Sequence, residues 1–353
     1  MQPRRIFKTT IAYLAILLLA GCAARGSIAP LIDNPVTTGP HIANHNIFVA
    51  STRQFSSDPA DYFSSDRSNT LKFAKLSISV PTGKQFEAAV QWPFGKADPR
   101  IHFAKTEDVK FSGKGAFINS INRALATKTG GDKAIFIFIH GYNNTFTESL
   151  YRLAQLKRDA CINAVTIAFS WPSKAKFTQY IHDRESVAFS RDKLEALLKT
   201  VANANTDKIY ILAHSLGSWL TMETLRQTRI RKDPKNKLFK KLRALALAAP
   251  DIDTDVFKTQ LDSVGKINGK FFLMTSQEDK VLGFLSRLTG NIQRVGRIRD
   301  QGALSKKYGI RFPLVEKSKG SDRSGHSTFA TSTKFLKIFR NWVRVASGKK
   351  CVR

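Results

Sequence analysis

Three residue types that hydrolytic chemistry needs lie far apart in this chain, two of them at the end of an apolar run and the third in a polar loop. Residues Ile209 to Gly217 read Ile-Tyr-Ile-Leu-Ala-His-Ser-Leu-Gly, a strand pattern that stops on a serine between small residues. A serine hydroxyl is a weak nucleophile. It must stand clear of the backbone, reach a base and sit beside a bare peptide N–H. A sharp strand-to-helix turn meets these needs, and Trp219, Leu220 and Leu225 supply apolar positions at helical spacing after it. The flanks Ala213 and Gly217 make the pattern A-x-S-x-G, one methyl group from the usual G-x-S-x-G. With Ser215 as nucleophile, an acid and then a base are expected further along the chain. Gly269 to Asp279 is a buried-strand pattern ending on a carboxylate, and Ser324-Gly325-His326-Ser327 lies in a polar loop. Of seven histidines only His326 follows Asp279, so chain order leaves one candidate base. Asp251, in Ala249-Pro250-Asp251-Ile252-Asp253, is the alternative acid; Asp279 is preferred because it ends the strand just before the histidine loop.

The oxyanion of an acyl-transfer intermediate needs two donors. One is the N–H of Leu216, the residue after the serine. The other is placed on Tyr142, in the loop that ends the strand Ala134 to Ile139, with Gly141 making the close turn. A helix is expected from Thr145 to Lys157. His214, beside the serine, is expected to turn away from the site into packing. Asp251 and Asp253 also fit the bland role of capping a helix that starts near Thr254.

Together, His140-Gly141-Tyr142-Asn143, Phe169-Ser170-Trp171-Pro172-Ser173, Ala213 to Gly217, Ala249 to Asp253 and Gly325-His326-Ser327 resemble the bacterial α/β-hydrolase family of unknown function, loosely called esterase/lipase-like. The resemblance covers about Asn46 to Val345. It implies an α/β-hydrolase fold and a Ser215–Asp279–His326 triad without a known substrate, and the family's own variant accommodates Ala213.

The amino terminus carries Arg4, Arg5 and Lys8, then the apolar run Ile11 to Ala20, too short to span a bilayer comfortably. It ends in Leu19-Ala20-Gly21-Cys22, which resembles a bacterial lipobox. Residues 1–21 are thus expected to be a lipoprotein signal peptide and Cys22 the lipidated first residue of the mature chain, held at a bacterial membrane on the non-cytoplasmic side. Residues 22–45, rich in Pro, Thr, Asn and Gly, are expected to be a tether, 46–346 the hydrolase domain and 347–353 a basic tail. Cys161 and Cys351 either pair or remain thiols.

Within the domain, strands are expected at Asn46 to Gln54, Thr70 to Pro81, Phe86 to Trp92 (at the edge), Ala134 to Ile139, Ala164 to Phe169, Lys208 to Ala213, Leu242 to Ala248, Lys270 to Thr275 and Gly309 to Val315. With helices between them, including Asp183 to Ala202, they predict a mostly parallel central sheet covered by helices on both faces. Pro172 to His182 and Gly283 to Tyr308 exceed what simple connections need and suit a substrate-binding rim or a partial lid.

No cofactor and no metal site are expected, since no Cys/His spacing or phosphate-cradling loop is present. Lys and Arg number 57 against 27 Asp and Glu, a formal charge of +30. Basic residues crowd Arg226 to Arg243, Arg294 to Arg311 and Lys334 to Arg353. In the last, Lys334, Lys337, Arg340 and Arg344 share one helical face opposite Phe335, Ile338, Phe339 and Trp342. This field points to an anionic membrane or envelope surface as partner, and not to specific nucleic acid, for which no recognition motif appears. The function expected is a membrane-anchored serine hydrolase of carboxylic esters. The alternatives are a non-catalytic envelope-binding protein on the same scaffold, or an acyltransferase using the same residues.

Overall fold

The computed structural model describes residues 39, 41–58, 61–93, 95–313 and 324–343. Cys22, residues 1–38 and the tail from 344 lie outside the described residues, as do Cys351 and Arg344. Cys161 is disulfide-bonded.

The chain runs β1 (Ile42–Phe55), β2 (Phe63–Pro81), β3 (Ala104–Phe111), α1 (Lys114–Ala126), β4 (Ile135–Ile139), α2 (Phe146–Asp159), β5 (Val165–Ser170), α3 (Tyr180–Ala202), β6 (Ile209–His214), α4 (Leu216–Arg231), β7 (Leu242–Ala248), α5 (Thr254–Val264), β8 (Lys270–Met274), α6 (Lys280–Leu288), β9 (Ile310–Arg311) and α7 (Thr333–Val343), with short helical turns between. The strands form one sheet in the order β3-β2-β1-β5-β4-β6-β7-β8-β9. From β1 through β5 to β9 neighbouring strands are parallel, and β2 and β3 add an antiparallel edge.

Parallel strands buried on both faces must be apolar on both. In β4, Ile135, Ile137 and Ile139 enter one core, with Phe117 of α1, Leu194 of α3 and Leu220 of α4. Phe136 and Phe138 enter the other, with Leu150 and Leu153 of α2 and Phe335 and Phe339 of α7. The expected two-sided sheet is what forms. Its connectivity also sets where a ligand can enter. The chain leaves β4 toward β5, then returns to β4's other side with β6, so the loops after β4 and β6 part in opposite directions. A crevice opens at the carboxyl ends of strands where the order reverses in this way.

Several boundaries differ from the expected ones. β1 begins at Ile42 and β2 at Phe63, so the sheet claims part of the expected tether and the hairpin is longer. Phe86 to Trp92 forms no strand. Its backbone is taken by the Arg158–Asp159 pair: Arg158 donates to the carbonyls of Phe86 and Ala89, and Asp159 accepts the Ala88 N–H. The edge strand is β3 instead. β9 has two residues, and the rest of its expected span past residue 313 lies outside the described residues.

Two residues of the basic stretches are engaged within the fold. Arg340 donates to the carbonyl of Asp159, and Arg294 is 3% exposed against Asp251. Lys334 and Lys337 are exposed as expected. Among the described residues, no helix is long and apolar enough to cross a membrane.

Candidate active site

Ser215 occupies the turn between β6 and α4 with φ 52° and ψ −124°, a conformation that a non-glycine residue keeps only when its surroundings impose it. The surroundings are visible. Its N–H donates to the Ala248 carbonyl at 2.9 Å, and its carbonyl accepts from Ser218 at 2.9 Å and Asp251 at 3.3 Å. A methyl group on Gly217 would lie 2.3 Å from the His140 carbonyl oxygen, so only glycine lets α4 come this close to the end of β4. One on Gly141 would lie 2.8 Å from the Ser215 Cβ; the loop after β4 therefore passes directly against the serine. The Ser215 Oγ is buried and makes no hydrogen bond among the described residues. Leu216 is the first residue of α4, and N–H groups in the first turn of a helix have no partner within it.

Asp279 ends the loop after β8 and caps α6. One carboxylate oxygen accepts the Leu282 N–H at 2.9 Å and the other lies 2.7 Å from His326 Nδ1. The carboxylate is fully buried and the imidazole nearly so. The His326 loop is pinned at this distance because the Lys280 N–H donates to the Ser324 carbonyl at 2.9 Å and the His326 N–H to the Ser324 hydroxyl at 3.2 Å. The structure thus brings Asp279 and His326 together and sets them beside the residue preceding Ser215. His214 lies with its ring 4.7 Å from that of His326 and its Nε2 3.2 Å from the His326 carbonyl. His214 is packed, but beneath the imidazole of the site and not away from it, because the His326 loop folds back over β6.

Asp251 is not joined to His326. Its Oδ2 accepts the Tyr180 hydroxyl at 2.7 Å, and its Oδ1 lies 3.3 Å from Arg294 Nε, a coulombic contact without hydrogen-bond alignment. Burial pushes this carboxyl's pKa up, against the pull of Arg294. The helix-capping role belongs to Asp253 alone, which accepts from Asp255 and Val256.

Tyr142 lines the cavity described below, and its hydroxyl donates to the Phe177 carbonyl. The loop around it is fixed by groups that sequence reading missed. Buried Arg53 donates to the Ser170 hydroxyl and to the carbonyls of Ser173 and Asn144. Burial lowers its pKa to about 10, which leaves it cationic at neutral pH. Asp183 accepts from the Ser173 hydroxyl, the Lys174 N–H and the Asn143 N–H. These contacts hold Asn143 at φ 60° and set the direction of the Tyr142 peptide. The signal was an arginine inside the apolar strand pattern of β1, but its partners Asn144, Ser170 and Ser173 lie 91 to 120 residues away.

The cavity, of about 310 Å³, opens over His326 and His214 and is bounded by Tyr142, Phe177, Trp92 and Val281. His140, below it, stacks on Trp171 at 4.9 Å and bonds the Gly141 and Trp171 backbone.

Burial lowers the pKa of His140 from 6.5 to about 3 and that of His214 well below 6.5. In the unfolded chain both take up protons near 6.5, so their stabilising effect is fully present above that pH and is lost as pH falls toward 3. At pH 5, His140 alone is expected to lower stability by about 2 kcal/mol relative to pH 7. The urea midpoint should drop between these pH values, and less in His140→Gln. An unchanged midpoint would mean that the ring is protonated in the fold.

Residues 114–341 match the model of a family described as alpha/beta hydrolase of unknown function (DUF900). An uncharacterised protein of Nostoc sp. is 35% identical over 84 residues, which are 21% of this chain and 22% of that one; the match spans about a fifth of the relative. Among solved structures, a thermophilic carboxylesterase cloned from a metagenomic library aligns with a TM-score of 0.34 and 8% identity, over 98% of this chain and 99% of that one. An esterase of Pyrobaculum calidifontis aligns with a TM-score of 0.32 and 11% identity, over 97% and 92%.

Proposed function

This chain belongs to the DUF900 family of α/β-hydrolases, and from that premise we propose that it is a serine hydrolase of carboxylic esters, lipid-anchored at Cys22 on the non-cytoplasmic side of a bacterial membrane. The observation that carries the catalytic half is the 2.7 Å contact between His326 Nδ1 and a fully buried Asp279, beside a serine on a strained turn.

The Ser215 Oγ attacks the ester carbonyl carbon while His326 Nε2 takes its proton. Asp279 holds the Nδ1–H, fixes the tautomer and stabilises the imidazolium. The N–H groups of Leu216 and Tyr142 receive the oxyanion. His326 returns the proton to the leaving alkoxide, an alcohol departs and the acyl group stays on Ser215. Water, deprotonated by His326, then attacks the acyl carbonyl and releases the acid. The hydroxyl makes no hydrogen bond among the described residues, so turning about its Cα–Cβ bond breaks none, and catalytic hydrogen bonds often tighten only around substrate. An alcohol or amine in place of water would make the same residues an acyltransferase.

The test is labelling with a fluorophosphonate probe, followed by a panel of nitrophenyl esters of graded acyl length. A chain that neither labels nor hydrolyses any of them is a binding protein on a hydrolase scaffold.

The anchor rests on Leu19-Ala20-Gly21-Cys22 and is tested apart from activity. Membrane-fraction recovery after a high-salt wash is expected for the wild type and lost in Cys22→Ser; retention in that variant would rule the lipid out.

A further inference from the structure

Among the described residues nine large apolar side chains are exposed, and five of them fall in the two segments that border the cavity: Phe177, Ile181, Phe284, Leu288 and Ile292. The segments touch, with the rings of Phe177 and Phe284 5.3 Å apart. On α6 the core side carries Leu282 and Leu285, fully buried. Val281, Phe284 and Leu288 follow at helical spacing on another side, from the cavity wall at Val281 outward to Leu288, which is 59% exposed. Ile181, one turn beyond Phe177, is 77% exposed. Apolar side chains are thus found from the cavity wall, at Val281 and Phe177, out to the exposed Phe284, Leu288 and Ile181. Lys176, Lys280 and Arg287 are exposed among these residues, against Glu185 and Glu278 of the same segments, on a chain of formal charge +30. Exposed apolar side chains at a cavity mouth, interleaved with cations, match the boundary layer of an anionic bilayer, where side chains enter the acyl region and ammonium and guanidinium groups remain at the phosphates.

We propose that this rim is a membrane-docking surface, and that the site draws ester-bearing amphiphiles directly from an anionic lipid layer past the Phe177–Phe284 contact. The substrate half of this statement rests on the serine-hydrolase reading; the docking half does not.

The experiment uses the full chain carrying Leu288→Trp, compared with wild type as background for the native tryptophans. The added emission is expected to be quenched about twofold or more by lipids brominated in their acyl chains, in vesicles of phosphatidylglycerol and phosphatidylcholine in about equal parts. Quenching should be much weaker with phosphatidylcholine alone, and should weaken as salt shortens the Debye length to about 3 Å at 1 M. Emission that stays unquenched overturns the proposal, as does a rim covered by a second copy, seen as a dimer by sedimentation. In the kinetic arm, Ile181→Ser and Leu288→Ser, neither of which lines the cavity, should each lower kcat/KM about tenfold on a long-chain ester held in those vesicles. Turnover of a short soluble nitrophenyl ester should be unchanged. Equal loss on both substrates overturns the substrate half. Quenching in a chain that hydrolyses nothing keeps the docking surface and removes the hydrolase reading; hydrolysis without quenching does the reverse.

Discussion

Ser215→Ala is expected to abolish fluorophosphonate labelling and to lower ester turnover by about four to six orders of magnitude, with the fold intact. The size follows from the role: without the hydroxyl no acyl intermediate forms, and only the oxyanion donors and binding remain. The intact fold follows from the structure. The Ser215 Oγ is buried without a hydrogen-bond partner among the described residues, so its removal leaves no group unsatisfied. Alanine carries the same Cβ through the same φ of 52°, so the turn is strained neither more nor less. Burying an unpaired hydroxyl is unfavourable, and the variant should be as stable as wild type or gain about 1 kcal/mol, raising Tm by a few degrees. Labelling that survives in Ser215→Ala would place the nucleophile elsewhere.

The two aspartates should separate cleanly. Asp279→Asn is expected to reduce kcat about 10⁴-fold, because an amide opposite His326 Nδ1 favours the wrong tautomer and cannot stabilise the imidazolium. Stability should change little, since asparagine caps a helix about as well as aspartate and the Leu282 N–H keeps its acceptor. Asp251→Asn should do the opposite. It leaves the Arg294 guanidinium, 3% exposed, without its counter-charge, at about 3–5 kcal/mol of stability. Its effect on turnover should be far smaller, because Asp251 bonds Tyr180 and not the imidazole. Urea midpoints and kcat/KM measured on both variants decide the matter. If Asp251→Asn is the more severe in turnover, the acid has been assigned to the wrong strand.

These expectations show which parts of the molecule were legible in the sequence. The strands β4 to β8 announce themselves because a sheet buried on both faces leaves no polar positions, and Ile135 to Ile139 shows it plainly. The turn at Ser215 was legible because its steric demand falls on adjacent residues, Gly217 above all. β3 was not legible. Ala-Lys-Thr-Glu-Asp-Val-Lys-Phe has no apolar stripe and is held as an edge strand by backbone pairing with β2. Phe86 to Trp92 looked like a strand because its apolar residues pack against α2, while Arg158, out of view in the sequence, takes its carbonyls. The network of Arg53, Ser173 and Asp183 was hidden for the same reason: a buried charge is explained only by partners that the fold brings from afar.

The place of β1 in the sheet governs the order in which the molecule is completed. β1 and β2 pair locally, but β1's other edge waits for β5, with Ile47 beside Thr166 and the Ser51 hydroxyl on the Ser170 carbonyl, 119 residues later. A chain emerging amino-terminus first thus carries an open apolar strand edge until β5 arrives, 119 residues after Ser51, and such an edge is a template for wrong pairing. Ser215 follows, yet Asp279 and then His326 must still be made. From Ser215 to His326 the growing chain would hold the proposed nucleophile without its proposed base.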